Sequence, residues 1–317
     1  MTTLQKQYDA VPQPAGVARL DDRLVVRVTG DDRVSFMHGM CSQDIQNLHP
    51  GMAAPALLLT EHAHIVADFF VYATEDELLI EIERSLWPQA RAHLEKFLVA
   101  DDVEFEELDS LAIIDVEGPA AVKVVAAIDA EPVKALKEWR HFSADSSLIA
   151  SIPRFGVPAY TILAKAPTAS NLIVTLLHSS AGTEMIEPSA LELLRLENSL
   201  ARVGVDTTDK TLALEACLER AISFNKGCYI GQETVERATA RGGIKKRLCS
   251  LMIDGNDVPP SGSSVFLDGK EVGRLTSVLR SARFGIIGLG ILHHSAWESG
   301  TALMIRDGEH GFRAVVR

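Results

Sequence analysis

Lys226-Gly-Cys-Tyr-Ile-Gly-Gln-Glu233 places a cation, a thiol, an amide and a carboxylate within one short run that also holds two glycines. A thiol beside an ammonium at a helix entry is biased toward thiolate, since the positive helix end and the cation both favour the charged form. Cys228 is therefore a candidate reactive thiol, and Lys226 the group that would favour its thiolate. Gly227 and Gly231 flank it and would let backbone approach a ligand closely. Ile230 and Gly231 lead into a polar helical stretch, where Glu233 precedes Arg237 by four residues, the favourable order for an ion pair on a helix. A plainer reading stays open, because a lone cysteine is more often a small buried hydrophobe than a nucleophile.

The elements that would position this segment fall into two styles. Up to Arg241, strands and helices alternate in short units. Leu24–Val28, Ala56–Thr60, Ile65–Tyr72, Leu78–Glu83, Val103–Phe105, Leu111–Val116, Leu148–Ile152 and Tyr160–Leu163 read as strands, the second and third forming a hairpin across Glu61–His64. Helices are expected after Asp31 or Asp32 through Met40, from a Ser85 cap through Phe97, over Ala120–Ile128, over Thr168–His178 and over Pro188–Asn198. Hairpins are as frequent as crossovers, which suits an α+β fold with ferredoxin-like sheets better than one doubly wound parallel sheet. Beyond Gly243 the pattern becomes six short apolar runs broken by Gly, Pro, Asp and Asn, with Asp268-Gly269 as a tight hairpin turn. That predicts a small antiparallel β-barrel. The expected division is 1–242 for the α/β region and 243–317 for the barrel.

Composition narrows the function. The 317 residues carry 31 basic and 43 acidic side chains, a net charge of −12. So acidic a chain is a poor candidate for broad nucleic-acid binding, which needs clustered Lys and Arg to neutralise phosphates. The local exception is Arg237, Arg241, Lys245, Lys246 and Arg247, a solvated face or else a patch for an anionic ligand tail or partner. No apolar run is long enough to span a membrane, and the polar stretch Met1–Ala15 does not resemble a signal peptide. Cys41, Cys217, Cys228 and Cys249 are scattered with no CxxC pair. This argues against a disulfide framework, a zinc site or an iron–sulfur cluster site held by this chain alone, and fits a reducing, cytoplasmic setting. His62 and His64 read as a hairpin tip, and His293-His294 would point to opposite faces of a strand, so no metal site is expected. Trp87, Trp139 and Trp297 are expected as core or interface anchors. Neither a phosphate-binding loop nor a dinucleotide fingerprint is present.

Lys226–Glu233 resembles the signature of the YgfZ family, a branch of the larger glycine-cleavage T-protein (aminomethyltransferase-like) family. The likeness extends to Phe36–Asp44, Leu191–Glu197, Glu215, Ala221–Phe224, Ile287–Ile291 and Gly300-Thr301. The resemblance implies a ring of two interleaved mixed α/β domains and a C-terminal antiparallel β-barrel, with tetrahydrofolate in the centre. It implies a folate-binding accessory protein for the assembly or repair of iron–sulfur proteins, with iron–sulfur client or assembly proteins as partners and an indirect effect on tRNA modification. By the same likeness Glu197 matches the T-protein folate glutamate, and Tyr229, Gly231, Gln232 and Glu233 belong to the cofactor-binding stretch. A carboxylate can accept two hydrogen bonds at once from the adjacent donors of a pterin. Without the resemblance, Glu197 reads as a solvated helix acid, with Arg195 able to pair with Glu192.

The T-protein branch resembles this chain but normally lacks the cysteine, and uses an acid from an Asp-Asp pair. Here Ala67 occupies the first of those positions and Asp68 the second, so Asp68 is the remaining candidate acid. An aminomethyltransferase of the glycine cleavage system and a scaffold that binds only proteins are the competing readings.

Overall fold

The structure, a computed structural model, describes residues 15–317 apart from residues 146, 181 and 241–242. The polar N-terminal stretch and Arg241 lie outside the described residues. The chain divides into two compact units. One takes it up to Leu58, then Val66–Leu191 and Asn225–Tyr229; the other takes Leu59–Ile65, Glu192–Phe224 and Ile230–Arg317. The signature segment thus passes from one unit to the other after Tyr229.

The first unit is built on two sheets. A five-stranded antiparallel sheet runs in the order β3 (Ala53–Leu59), β4 (Ile65–Ala73), β5 (Leu78–Glu83), β2 (Arg23–Thr29), β6 (Glu104–Glu107). A six-stranded mixed sheet runs β11 (Glu184–Met185), β1 (Gly16–Arg19), β7 (Leu111–Glu117), β10 (Ala159–Lys165), β9 (Ser147–Ser151), β8 (Arg140–Ala144), with only β11 and β1 parallel among its described pairings. The hairpin expected across Glu61–His64 is present between β3 and β4, where Ala63 takes φ 60°. Helix α1 (Arg33–Met40) follows β2, and α2 (Trp87–Phe97) follows β5. The residue before α2 is Leu86, whereas the Ser85 hydroxyl donates to Glu83, so the cap expected from Ser85 is not formed. The helix expected over Ala120–Ile128 is shorter. It is limited to α3 (Ala121–Val125), and a separate short helix that the sequence pattern did not mark, α4 (Ala130–Ala135), follows it.

Alternation along β7 decides what each face of the six-stranded sheet meets. Ala112, Ile114 and Val116 point to one side and join Val17, Ile149, Ile162 and the helix residues Val124, Val125, Val133 and Leu176 in a core closed by α5 (Ala166–His178). Asp115 and Glu117 point to the other side, and both are fully buried. Asp115 is paired. Arg154 Nε donates to its Oδ2 at 2.6 Å, and the Thr161 hydroxyl to its Oδ1 at 2.7 Å. The same guanidinium reaches the five-stranded sheet, donating through Nη2 to Glu81 Oε1 at 2.7 Å, while Tyr72 and Arg23 also donate to Glu81. One buried cation therefore ties the two sheets of this unit together through two fully buried carboxylates.

Glu117 has neither carboxyl oxygen hydrogen-bonded. Burial, then the charge of Asp115, push its pKa well above the usual carboxylate range against the pull of Arg154. Folding thus favours the protonated, neutral form of Glu117. Its folded pKa lies above its unfolded one, so its contribution is complete below the unfolded value of about 4.3 and is lost as pH rises toward the folded value, at up to about 1.4 kcal/mol per pH unit. Glu117→Gln, which cannot ionise, should therefore stabilise the protein more at pH 8 than at pH 5 in urea unfolding. An identical difference at both pH values would contradict the assignment.

The second unit contains a closed antiparallel barrel in the order β12 (Lys246–Ile253), β15 (Gly285–His293), β14 (Lys270–Ser281), β13 (Ser264–Leu267), β16 (Ala302–Asp307), β17 (His310–Val316). All six strands fall where the sequence pattern placed them. Leu251, Val265, Leu275, Leu292 and Ile305 fill its interior. Asp268 and Gly269 turn between β13 and β14 with φ of 49° and 80°, the two positive values of a type I′ hairpin turn. On β14 the register slips between Leu275 and Ser277. Leu275 lies in the barrel core and Val278 packs against it, so Thr276 and Ser277 fall together on the opposite side, as a bulge requires.

Candidate functional site

The helix carrying Glu197 is α6 (Pro188–Glu197). Its leucines occur too often for a one-sided stripe, and in its second half every residue from Leu193 to Glu197 is buried. Any charge there needs partners, because an unpaired buried charge is costly. Arg195 is 4% exposed and all its donor nitrogens are engaged. Nε donates to Glu192 at 2.9 Å, Nη1 to Asp206 at 2.6 Å and to the Leu200 carbonyl, and Nη2 to Ser277 at 2.9 Å and to Glu192. Asp206 in turn accepts from the Arg202 backbone N–H at 2.9 Å and from the hydroxyls of Thr276 and Ser277. The bulge makes this possible, since successive side chains of a regular strand point to opposite faces.

Glu197 is 7% exposed, so it is not the solvated acid of the plainer reading. Its Oε1 accepts from the Ser281 hydroxyl at the end of β14, and its backbone carbonyl accepts from Arg317 Nη1 at 3.1 Å. Sequence reasoning missed Ser281. The signal was available locally, because a serine opening a Ser-Ala-Arg-Phe-Gly turn is a natural acceptor for N–H groups two and three residues on.

The rest of the signature is distributed over both units. Lys226, 8% exposed, lies in the first. Its ammonium donates to the carbonyls of His38, of Cys41 at 2.8 Å and of Gln43 at 2.9 Å. Cys41 is the C-cap of α1, so the cation satisfies backbone acceptors left open at a negative helix end. Burial lowers the Lys226 pKa, partly offset by Cys41 and Asp44. An ammonium has three donors, and these carbonyls take all three, so none is left to hydrogen-bond the Cys228 thiol. The Tyr229 ring lies 5.0 Å from the same ammonium and is buried.

Cys228 is exposed, while Cys41 and Cys249 are buried and each pushed up to about 11, chiefly by burial. Helix α7 (Gln232–Ala240) begins four positions after Cys228, so the residue at its entry is Gly231. Gly231 has φ 88°, and a Cβ there would come within 2.7 Å of the Thr60 carbonyl oxygen. That close approach to the hairpin turn accounts for this glycine without a ligand. Gln232 donates to Glu236 at 2.7 Å, and Glu233 accepts from Arg237 at 2.6 Å, the ion pair read from their spacing. Asp68 is half-buried on β4, and its neighbour Ala67 is fully buried on the opposite face of the strand. Of the basic cluster, Lys245 and Lys246 are exposed, and Arg247 Nε donates to Cys217 Sγ at 3.4 Å. Among the described residues no helix is long and apolar enough to cross a membrane.

Comparison with known proteins covers the same ground. Residues 1–226 match the GCVT N-terminal domain, and residues 246–316 the glycine cleavage T-protein C-terminal barrel domain. A putative chloroplastic transferase of Arabidopsis thaliana, At1g60990, is 27% identical over 293 residues, covering 89% of this chain. The chain spans 66% of that protein's length, just under two thirds. An aminomethyltransferase of Thermosynechococcus vestitus is 25% identical over 99% of this chain and 87% of its own, and one of Bacillus subtilis 24% identical over 95% and 86%. The crystal structure of glycine cleavage system aminomethyltransferase T from Bartonella henselae has a TM-score of 0.90 at 21% identity, over 99% of this chain and 88% of that one, and so shares its fold.

Proposed function

Since the chain belongs to the glycine cleavage T-protein family, we propose that it binds tetrahydrofolate through Glu197 and uses it in one-carbon transfer of the aminomethyl type. The observation that carries this reading is a carboxylate 7% exposed and held by a neighbouring hydroxyl at the position that resembles the family's folate glutamate. Glu197 would accept the two adjacent donors of the pterin edge, an arrangement in which charge strengthens both hydrogen bonds. By the family resemblance Asp68, half-buried on β4, is the candidate acid for this chemistry. The names of the relatives support aminomethyl transfer as the chemistry.

A second reading has its own support in two residues. Ala67 replaces the first acid of the T-protein pair at a fully buried position, and Cys228 stands exposed in the YgfZ-like signature. On this reading the protein binds folate without turnover of its own and assists iron–sulfur client or assembly proteins in the cytoplasm, with tRNA modification affected through them.

Titration with tetrahydrofolate, followed by an assay for folate-dependent ammonia release from an aminomethylated lipoyl carrier, separates the two. Saturable binding with ammonia release supports the transferase. Binding without release, together with an iron–sulfur enzyme defect in cells that the unmodified gene repairs and Cys228→Ala does not, supports the accessory role. Absence of saturable binding would sink both and leave a protein-binding scaffold.

A further inference from the structure

We propose that Ser281 is the positioning residue of the Glu197 carboxylate, fixing the orientation in which it meets a pterin; this rests on the reading that Glu197 holds the pterin. The argument is one of hydrogen-bond counting. A serine hydroxyl has one hydrogen to give and two lone pairs to receive. The backbone N–H groups of Arg283 and Phe284 both donate to Ser281 Oγ at 3.0 Å. Both receiving positions are thereby used, and the single hydrogen is left to point at Glu197 Oε1. The hydroxyl cannot turn to accept from elsewhere without breaking the turn that follows β14. Ser281 is 2% exposed, so water does not offer it an alternative partner.

The turn that orients Ser281 is itself restrained. The Arg283 and Arg317 guanidiniums lie 4.8 Å and 4.2 Å from the centre of the Phe284 ring, and Arg317 also donates to the Glu197 carbonyl. Backbone, hydroxyl and carboxylate thus form one chain of contacts, in which the plane of the carboxylate follows from the fold of a four-residue turn. Accepting two parallel donors demands that plane, because hydrogen bonds weaken steeply as their angles close. Ser281 touches no ligand in this scheme and acts only through Glu197.

The test is a double-mutant cycle on tetrahydrofolate affinity with unmodified protein, Ser281→Ala, Glu197→Gln and the pair, plus Ser281→Thr, which keeps the hydroxyl. Ser281→Ala should weaken binding about tenfold, and Ser281→Thr should restore most of it. In the Glu197→Gln background, Ser281→Ala should add less than about twofold, because coupled residues do not add. Ser281→Ala with unchanged affinity, or with its full tenfold loss retained in the Glu197→Gln background, would overturn the positioning role while leaving Glu197→Gln defective. Unchanged affinity in Glu197→Gln would instead overturn the pterin assignment, and this inference with it.

Discussion

Glu197→Gln is expected to weaken tetrahydrofolate binding by about 10- to 100-fold while leaving the fold intact. The substitution keeps the size of the side chain and an oxygen for Ser281 to donate to. It removes the charge and replaces one acceptor by an NH₂ group that faces the pterin donors. A hydrogen bond to a charged partner is worth about 1.5–3 kcal/mol, and about 1.4 kcal/mol is a factor of ten in affinity. Isothermal titration calorimetry on both proteins measures the ratio. Glu197→Ala, which also leaves the buried Ser281 hydroxyl without its acceptor, should cost more. A ratio near one for Gln would remove Glu197 from the site.

A larger effect, on stability, is expected from Arg154→Met. The guanidinium is 6% exposed and faces Glu81 and Asp115, both fully buried. Removing one partner of a buried ion pair typically costs about 3–5 kcal/mol, because the charge left behind is uncompensated. The loss should depend on pH in a defined direction. Burial pushes Glu81 up, but Arg154 and Arg23 outweigh it and hold its pKa below the usual range. The stability this pairing provides is therefore present above the unfolded carboxylate value near 4.3 and is lost as pH falls through the folded one. Urea unfolding should show Arg154→Met most damaging near pH 7 and progressively less so as acid protonates Glu81. Damage that stayed constant, or grew, toward low pH would mean that the cation matters for packing and not for charge.

How much of this was readable in advance depended on whether the cause was local. The six barrel strands were legible because alternation and turn residues mark them one at a time, as at Asp268-Gly269. The Glu233–Arg237 pair was legible because helix geometry alone brings residues four apart together. The short strands β1, β8 and β11 gave no comparable pattern and became visible only through their partners in the six-stranded sheet. The hydrogen-bond partners of Lys226 were hidden for the same reason. The thiol expected to need it is two residues away, while the carbonyls that hold it are on residues 38, 41 and 43. Glu197 could be singled out by resemblance, yet its burial and its partner Ser281, 84 positions on, are properties of the fold. Arg154, Glu81 and Asp115 carry no mark in the sequence, since each lies on a different element and only packing makes them a set.

The slip in β14 also sets a rule of parity for the evolution of this barrel. Leu275 pairs with Gly290 and Ser277 with Leu289, so Thr276 is the one extra residue, and losing it would leave a regular strand in which Ser281 still faces Glu197. Anywhere else in β14, by contrast, adding or losing one residue turns every later position over, whereas a change of two preserves the facing. Descendants of this chain can therefore shed a residue at the slip more readily than elsewhere in β14, and a single-codon deletion at the slip should cost one of the two hydroxyls that donate to Asp206 while leaving Ser281 facing Glu197.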